Sequence, residues 1–279
     1  MAFFKSFLLA FAMFSKIPVP CVEWNERNMR YIMCAFPFVG LVIALLESLL
    51  FICIACDFLV IWQFFIFPLF GTLIPLAVTG GIHFDGFMDT CDALGSHAPK
   101  EKKLEILKDS HVGAFAVIGC VVYILTYFVF AFQFLHMFEP LDISGAFDNI
   151  SRCLVNAAGF LLSFCVSRFL SALAVAVFPC AKNSGLVHTF SDASYRRFTA
   201  VWSVVLLCVI FAALFYFNSL QALALLLSSC LVFVYYFVVA KRQFGGITGD
   251  LAGWFVQLCE LWGLVSIVVA ETCWRSLWF

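Results

Sequence analysis

The chain has 279 residues, 64% of them hydrophobic and 12% charged, with 36 phenylalanines, a mean hydropathy of +1.05 and a formal net charge of −1. A soluble domain carries about 25% charged residues, so this composition excludes an ordinary soluble fold and describes a polytopic membrane protein. Nothing in the charge marks a nucleic-acid partner, and what carries information is where Lys and Arg fall.

Lys5 precedes an apolar run from Ser6 to Phe14 that superficially resembles a signal peptide. No small-residue cleavage site follows, and Lys16-Ile17-Pro18-Val19-Pro20 reads as a stiff exit from a short interfacial or re-entrant helix, expected to stay in the mature protein as an anchor. Apolar stretches of about 20 residues, enough to cross a hydrocarbon core, then fall near 31–55, 58–80, 113–138, 153–178, 198–217, 220–240 and 251–271. The expected fold is all-α: a single integral-membrane domain, 1–279, built as a transmembrane bundle of about seven spans. With the N-terminus in the cytoplasm, 13 Lys and Arg fall on the cytoplasmic side, 2 (Arg152 and Arg275) on the other, and Arg168 inside a span. That is the positive-inside arrangement. It puts the polar segments 81–112, 179–197 and 241–250 together on the cytoplasmic face.

Most of the 13 cysteines lie within apolar spans and read as small packing residues. Cys53-Ile54-Ala55-Cys56 lacks a second ligand pair, so a structural zinc site is not expected. No repeat or low-complexity linker divides the chain.

The segment with most chemistry is Gly80-Gly81-Ile82-His83-Phe84-Asp85-Gly86-Phe87-Met88-Asp89-Thr90-Cys91-Asp92, just past a long apolar run. If Asp85 opens a helix, Asp89 and Asp92 follow at i+4 and i+7, and all three carboxylates share a face roughly 60° wide. Stacked like charges repel, and a divalent cation relieves them; oxygen donors without thiolate partners suit Mg²⁺ or Mn²⁺ better than zinc. A solvated acidic first turn favoured by the helix dipole is the structural alternative.

Downstream, Pro99 to Asp109 reads as a short surface helix, with Lys108 and Asp109 next to the following span as candidates for substrate contact, against a snorkelling lysine. In Phe178-Pro179-Cys180-Ala181-Lys182-Asn183-Ser184-Gly185, Pro and Gly are explained by a turn, which leaves Lys182 as the candidate phosphate ligand. Gly245-Gly246-Ile247-Thr248-Gly249-Asp250 directly precedes the last span. Its glycines let backbone N–H groups approach an anion, so Gly245, Gly246, Thr248 and Gly249 are candidate phosphate contacts, and Asp250 either caps the helix or joins the metal. Deeper in the membrane, Arg168 and Glu260 each lie about 15 Å below the cytoplasmic surface at 1.5 Å per residue. They form a structural ion pair, or Arg168 reaches an anionic substrate. Glu47, about 24 Å from its cytoplasmic end by the same rise, is too far for chemistry there.

Clustered carboxylates, a glycine-rich turn and isolated basic groups are the parts of metal-dependent phosphoryl transfer, and the absence of GxxxxGK[ST] argues against an ATP-driven machine. The Gly80–Leu94 block resembles the signature of the cobalamin synthase family, the adenosylcobinamide-GDP ribazoletransferases. Phe14-Ser15-Lys16-Ile17-Pro18-Val19-Pro20, Ile106-Leu107-Lys108-Asp109-Ser110-His111-Val112-Gly113-Ala114-Phe115 and Gly245–Asp250 agree in order, so the resemblance spans essentially the whole chain. It implies a multi-pass inner-membrane enzyme of bacteria or archaea with a cytoplasmic site, joining adenosylcobinamide-GDP to α-ribazole or its 5′-phosphate with release of GMP. It further implies Mg²⁺ held by Asp85, Asp89 and Asp92, one of which also accepts the nucleophile's proton. His83 points away from that face on an ideal helix and reads as a packed histidine or a base. The family usually has Arg where this chain has His111, Gly where it has Ala116, and Ala-Arg where it has Ala181-Lys182. The resemblance leaves self-association and partnership with other corrinoid-pathway enzymes open. Two rivals remain: a CDP-alcohol phosphatidyltransferase, whose DGxxAR…GxxxDxxxD signature is absent, and a cation transporter, which favours midplane sites and internal repeats.

Overall fold

A computed structural model describes residues 2–55, 63–137, 146–181 and 195–277 of the chain. All its regular elements are helical: α1 (Ala2–Phe14), α2 (Glu26–Met29), α3 (Ile32–Ala35), α4 (Pro37–Ala55), α5 (Gln63–Thr79), α6 (Ile82–Gly95), α7 (Lys100–Ile106), α8 (Ala114–Leu135), α9 (Ala146–Val177), α10 (Arg196–Phe217), α11 (Ser219–Val239), a π-helical turn (Ala240–Phe244) and α12 (Gly249–Ser276). Five stretches are long and apolar enough to cross a membrane: α8, residues 154–177 of α9, α10, residues 219–244, and α12. Two bent pairs bring the number up to seven if each includes one crossing, a range of five to seven that contains the number expected from the sequence.

Those two pairs depart from straight spans. The expected span 31–55 is broken: Glu26–Ala35 meets Pro37–Cys53 at 42°, where Pro37 lacks the N–H that would continue the hydrogen-bond ladder. The turn at Gly80-Gly81 is sharper, and α6 leaves α5 at 98°. Both glycines have positive φ (63° and 78°), a conformation that costs a residue with a Cβ. A helix turned through a right angle does not continue the crossing, so α6 runs across the end of the bundle, outside the spans.

α9 and α12 form the centre. Phe160, Phe164, Arg168 and Ala172 of α9 and Leu251, Phe255, Glu260 and Leu264 of α12 are buried. α4 and α10 pack on α9, while α11 and α6 pack on α12. The peripheral helices bury one stripe and expose apolar side chains on the other, as Val117, Ile118, Val121 and Leu125 of α8 and Val201, Val205 and Val209 of α10 do. In water such a face would be a liability; facing lipid it needs no cover.

One end of the bundle gathers the C-termini of α5 and α9, the π turn, α6, and the N-termini of α8 and α12. The other end is fastened by side chains. Gln221 donates to the Asn156 carbonyl (2.7 Å) and to Glu271 Oε1 (3.1 Å), and Arg275 donates to the Met137 carbonyl (2.7 Å).

Candidate active site

The site is created by the crossing of α6 and α12. At the crossing a Cβ on Gly86 would lie 2.7 Å from the Asp250 carbonyl oxygen, and one on Gly253 would lie 2.8 Å from that of His83. Only glycine lets the two backbones approach so closely, the small-residue packing familiar between membrane helices. The approach brings Asp85 of α6 and Asp250 of α12 to the wall of one cavity of about 140 Å³, which His83, Ser171, Gly249, Met13 and Phe14 also line.

The aspartates occupy one face of α6 as their spacing predicts, although the helix opens at Ile82, with Gly81 as cap, rather than at Asp85. Asp85 is exposed, while Asp89 and Asp92 are partly buried. Burial, and then the charges of Asp85, Asp250 and Asp92, push the Asp89 carboxyl up to about 6. The Asp92 carboxylate lies against Gly113, the cap of α8, where a helix N-terminus favours a negative charge. Among the described residues no three His, Cys, Asp or Glu side chains are placed, as they stand, to hold a metal ion. An open set of carboxylates is nevertheless what Mg²⁺ uses, because it keeps several waters and is completed by substrate phosphates.

His83 is 6% exposed and packs between Phe14, at 6.1 Å between ring centres, and Phe36, at 5.4 Å. Its Nε2 has no hydrogen-bond partner among the described residues. Burial, and secondarily the Arg168 charge, push its imidazole down to about 3. It is thus a packed, neutral ring that still borders the cavity.

The glycine-rich turn is stitched to the end of α9. Ile247 N–H donates to the Pro179 carbonyl (2.9 Å) and Ala181 N–H to the Ile247 carbonyl (3.0 Å), a one-residue parallel bridge. A Cβ on Gly246 would come within 2.5 Å of the Ala181 nitrogen, so this glycine serves backbone packing. Gly245 closes the π turn at φ 81°, exposed. Thr248 caps α12, its Oγ1 accepting from Leu251 N–H (3.2 Å), and the half-buried Asp250 carboxylate accepts hydrogen bonds from the Thr248 hydroxyl and from its own backbone N–H. Gly249 is exposed at the head of the helix.

The basic candidates separate. Lys182 lies outside the described residues. Lys108 is exposed after α7. Lys103, expected on the surface, instead turns inward, 5% exposed, and donates to Gln243 Oε1 (2.6 Å), tying α7 to the π turn. Arg168, fully buried, donates through Nη1 to Glu260 Oε1 (2.5 Å) and to the Phe164 carbonyl (2.8 Å), while Ser167 donates to the same Glu260 oxygen (3.2 Å). Its charge is matched inside the bundle, which corresponds to the ion-pair reading rather than to substrate contact. His111 Nδ1 lies 2.6 Å from Asp109 Oδ1 at the surface, and hydrogen bonds from the His111 side chain and backbone hold the Asp109 carboxyl below its ordinary range.

Met13, Phe14, Phe36 and Ser171 had no functional mark in the sequence, because their part in the cavity comes from packing across α1, α3, α6 and α9. Only the Phe14–Pro20 block, through its resemblance, pointed toward this region.

Residues 6–268 match the cobalamin-5-phosphate synthase family, CobS. The chain is 37% identical to the adenosylcobinamide-GDP ribazoletransferase of Lachnoclostridium phytofermentans over 271 residues, covering 97% of this chain and 96% of that one. It is 31% identical to the protein of the same name from Clostridium perfringens (95% and 98% covered) and 28% identical to that from Fusobacterium nucleatum (96% and 98%). No solved structure matches. An acidic helix held across one end of a membrane bundle, with sequence agreement from end to end, leads to one conclusion: the chain belongs to the cobalamin-5-phosphate synthase family.

Proposed function

We propose that this protein is an adenosylcobinamide-GDP ribazoletransferase, completing the nucleotide loop of cobalamin at the cytoplasmic face of the inner membrane. The observation that carries this reading is the full-length family match with the aspartates of α6 and Asp250 intact at the α6–α12 crossing. The Lys and Arg distribution supports the cytoplasmic orientation.

In the reaction the hydroxyl of α-ribazole, or of its 5′-phosphate, attacks the phosphorus bonded to cobinamide. The new P–O bond forms as the bridging P–O bond of the diphosphate breaks, and GMP leaves. Asp85, Asp89, Asp92 and Asp250 would hold Mg²⁺, which when bound neutralises phosphate oxygens and makes phosphorus more electrophilic. One carboxylate of the set takes the proton released by the attacking hydroxyl, within hydrogen-bond reach of the bound nucleophile. Gly245 and Gly249 present exposed backbone to the phosphates, and Lys108 and Lys182 supply positive charge. His83 and the phenylalanines beside it exclude water from the cavity wall.

Purified protein in nanodiscs, given adenosylcobinamide-GDP, α-ribazole and Mg²⁺, should yield adenosylcobalamin and an equal amount of GMP. Absence of both products with either ribazole substrate would sink the assignment.

A further inference from the structure

The cationic side of this site is thin where it is described. Arg168 is matched by Glu260, Lys103 is bound to Gln243, and Lys102 is paired with Glu105. Lys16, marked in the sequence only as part of the exit from α1 and of the Phe14–Pro20 block, is placed differently. Its N–H donates to the Val78 carbonyl (2.8 Å), which pins it to the last turn of α5. Its methylene stem lies flat across Gly80, close enough that any Cβ there would collide with it. None of the ion pairs among the described residues involves Lys16.

That placement sets an unmatched cation over the turn that opens α6. No side chain caps α6, and the space above Gly81 is open to 4 Å. The uncapped N-terminus of α6 and the positive end of its dipole therefore lie beside the lysine stem, with Asp85 the acidic residue of that first turn. Two residues from Lys16, Phe14 forms part of the cavity wall with Asp85 and Asp250. In that wall His83, 6% exposed, has no hydrogen-bond partner for Nε2 among the described residues.

We propose that Lys16 binds the diphosphate of the nucleotide-activated substrate, its ammonium and the free N–H groups of α6 meeting the phosphate oxygens while the aspartates hold the metal side. This rests on the reading of the site as one of phosphoryl transfer. Its ammonium stabilises the charge that accumulates on the departing GMP phosphate. The strap of residues 15–20 thus belongs to the active site and is more than an anchor.

The test uses the full-length protein in nanodiscs with Lys16→Gln and Lys16→Arg. Steady-state kinetics are combined with thermal unfolding and with Mg²⁺-pyrophosphate as a competing ligand. Lys16→Gln should lower kcat/KM for adenosylcobinamide-GDP at least about tenfold. It should leave KM for α-ribazole and the unfolding temperature unchanged and weaken pyrophosphate inhibition in proportion; Lys16→Arg should recover most of the loss. Wild-type kinetics in Lys16→Gln would overturn the proposal, as would a loss confined to stability or unchanged pyrophosphate inhibition. If the wild type itself makes no GMP, the assigned reaction fails; Lys16 is then judged by direct pyrophosphate binding, and equal affinity of wild type and Lys16→Gln, or no binding to either, overturns it.

Discussion

Two groups of charged residues stand out in a chain that has few, and they are built on opposite principles. At the centre of the bundle Arg168 and Glu260 are both about 1% exposed and paired one to one, with further hydrogen bonds to Ser167 and the Phe164 carbonyl. At its end Asp85, Asp89, Asp92 and Asp250 are partly exposed and all of one sign, and burial together with the neighbouring charges pushes the Asp89 carboxyl up to about 6. The first group is closed: removing either member leaves a charge in hydrocarbon. The second is unbalanced among the described residues, and a bound cation is proposed to relieve its repulsion.

The comparison breaks most visibly if the aspartates are neutralised. Asp85→Asn, Asp89→Asn and Asp92→Asn should each lower corrinoid product formation at least about 100-fold, the scale of losing a main electrostatic contact to the transition state. Insertion and thermal unfolding should be little changed, because removing one of several repelling charges does not harm packing. Near-normal turnover in all three would end the metal reading. Chelation by EDTA should abolish GMP release and added Mg²⁺ should restore it; turnover persisting after dialysis against the chelator would do the same damage.

The closed pair should behave in the reverse way. Arg168→Ala or Glu260→Ala should each destabilise the detergent-solubilised protein by about 3–5 kcal/mol, the cost of an uncompensated buried charge. The double variant should recover much of that loss in thermal unfolding. Additive losses in this cycle would rule out direct pairing. A smaller effect sharpens the boundary between the regions. Gly246→Ala forces a Cβ against the Pro179–Ala181 backbone and should cost about 1–3 kcal/mol, as overpacking does, with activity falling only as far as the folded fraction does. If it instead raised KM with stability intact, Gly246 would be a phosphate contact. Smallest of all, Lys103→Met should cost about 1 kcal/mol through its bond to Gln243, measured by unfolding at saturating substrate.

The residues differ in how far their roles could be read in advance. Asp85, Asp89 and Asp92 declare themselves because helical periodicity is a local property, and i, i+4, i+7 share a face in any helix. Arg168 and Glu260 gave a correct depth, because rise per residue is fixed, but depth alone does not say whether two groups meet. Gly246 and Lys103 were incompletely legible: the sequence suggests a phosphate contact and a surface lysine, and the structure adds contacts with Pro179–Ala181 and Gln243, far away in the chain.

By itself the sequence determined the membrane class, the all-α architecture, the approximate spans and the acidic face, since each follows from composition or from a period of 3.6 residues. The tertiary structure alone decided that α6 turns 98° across the bundle end, that Gly86 and Gly253 carry Asp85 and Asp250 to one cavity, that Phe14 lines that cavity and that Lys16 lies across Gly80. Those are statements about which helices touch. In a membrane, where nearly every helix face is apolar, close packing of small residues and the pairing of a few polar groups select the contacts, and hydrophobic periodicity no longer marks them in the chain.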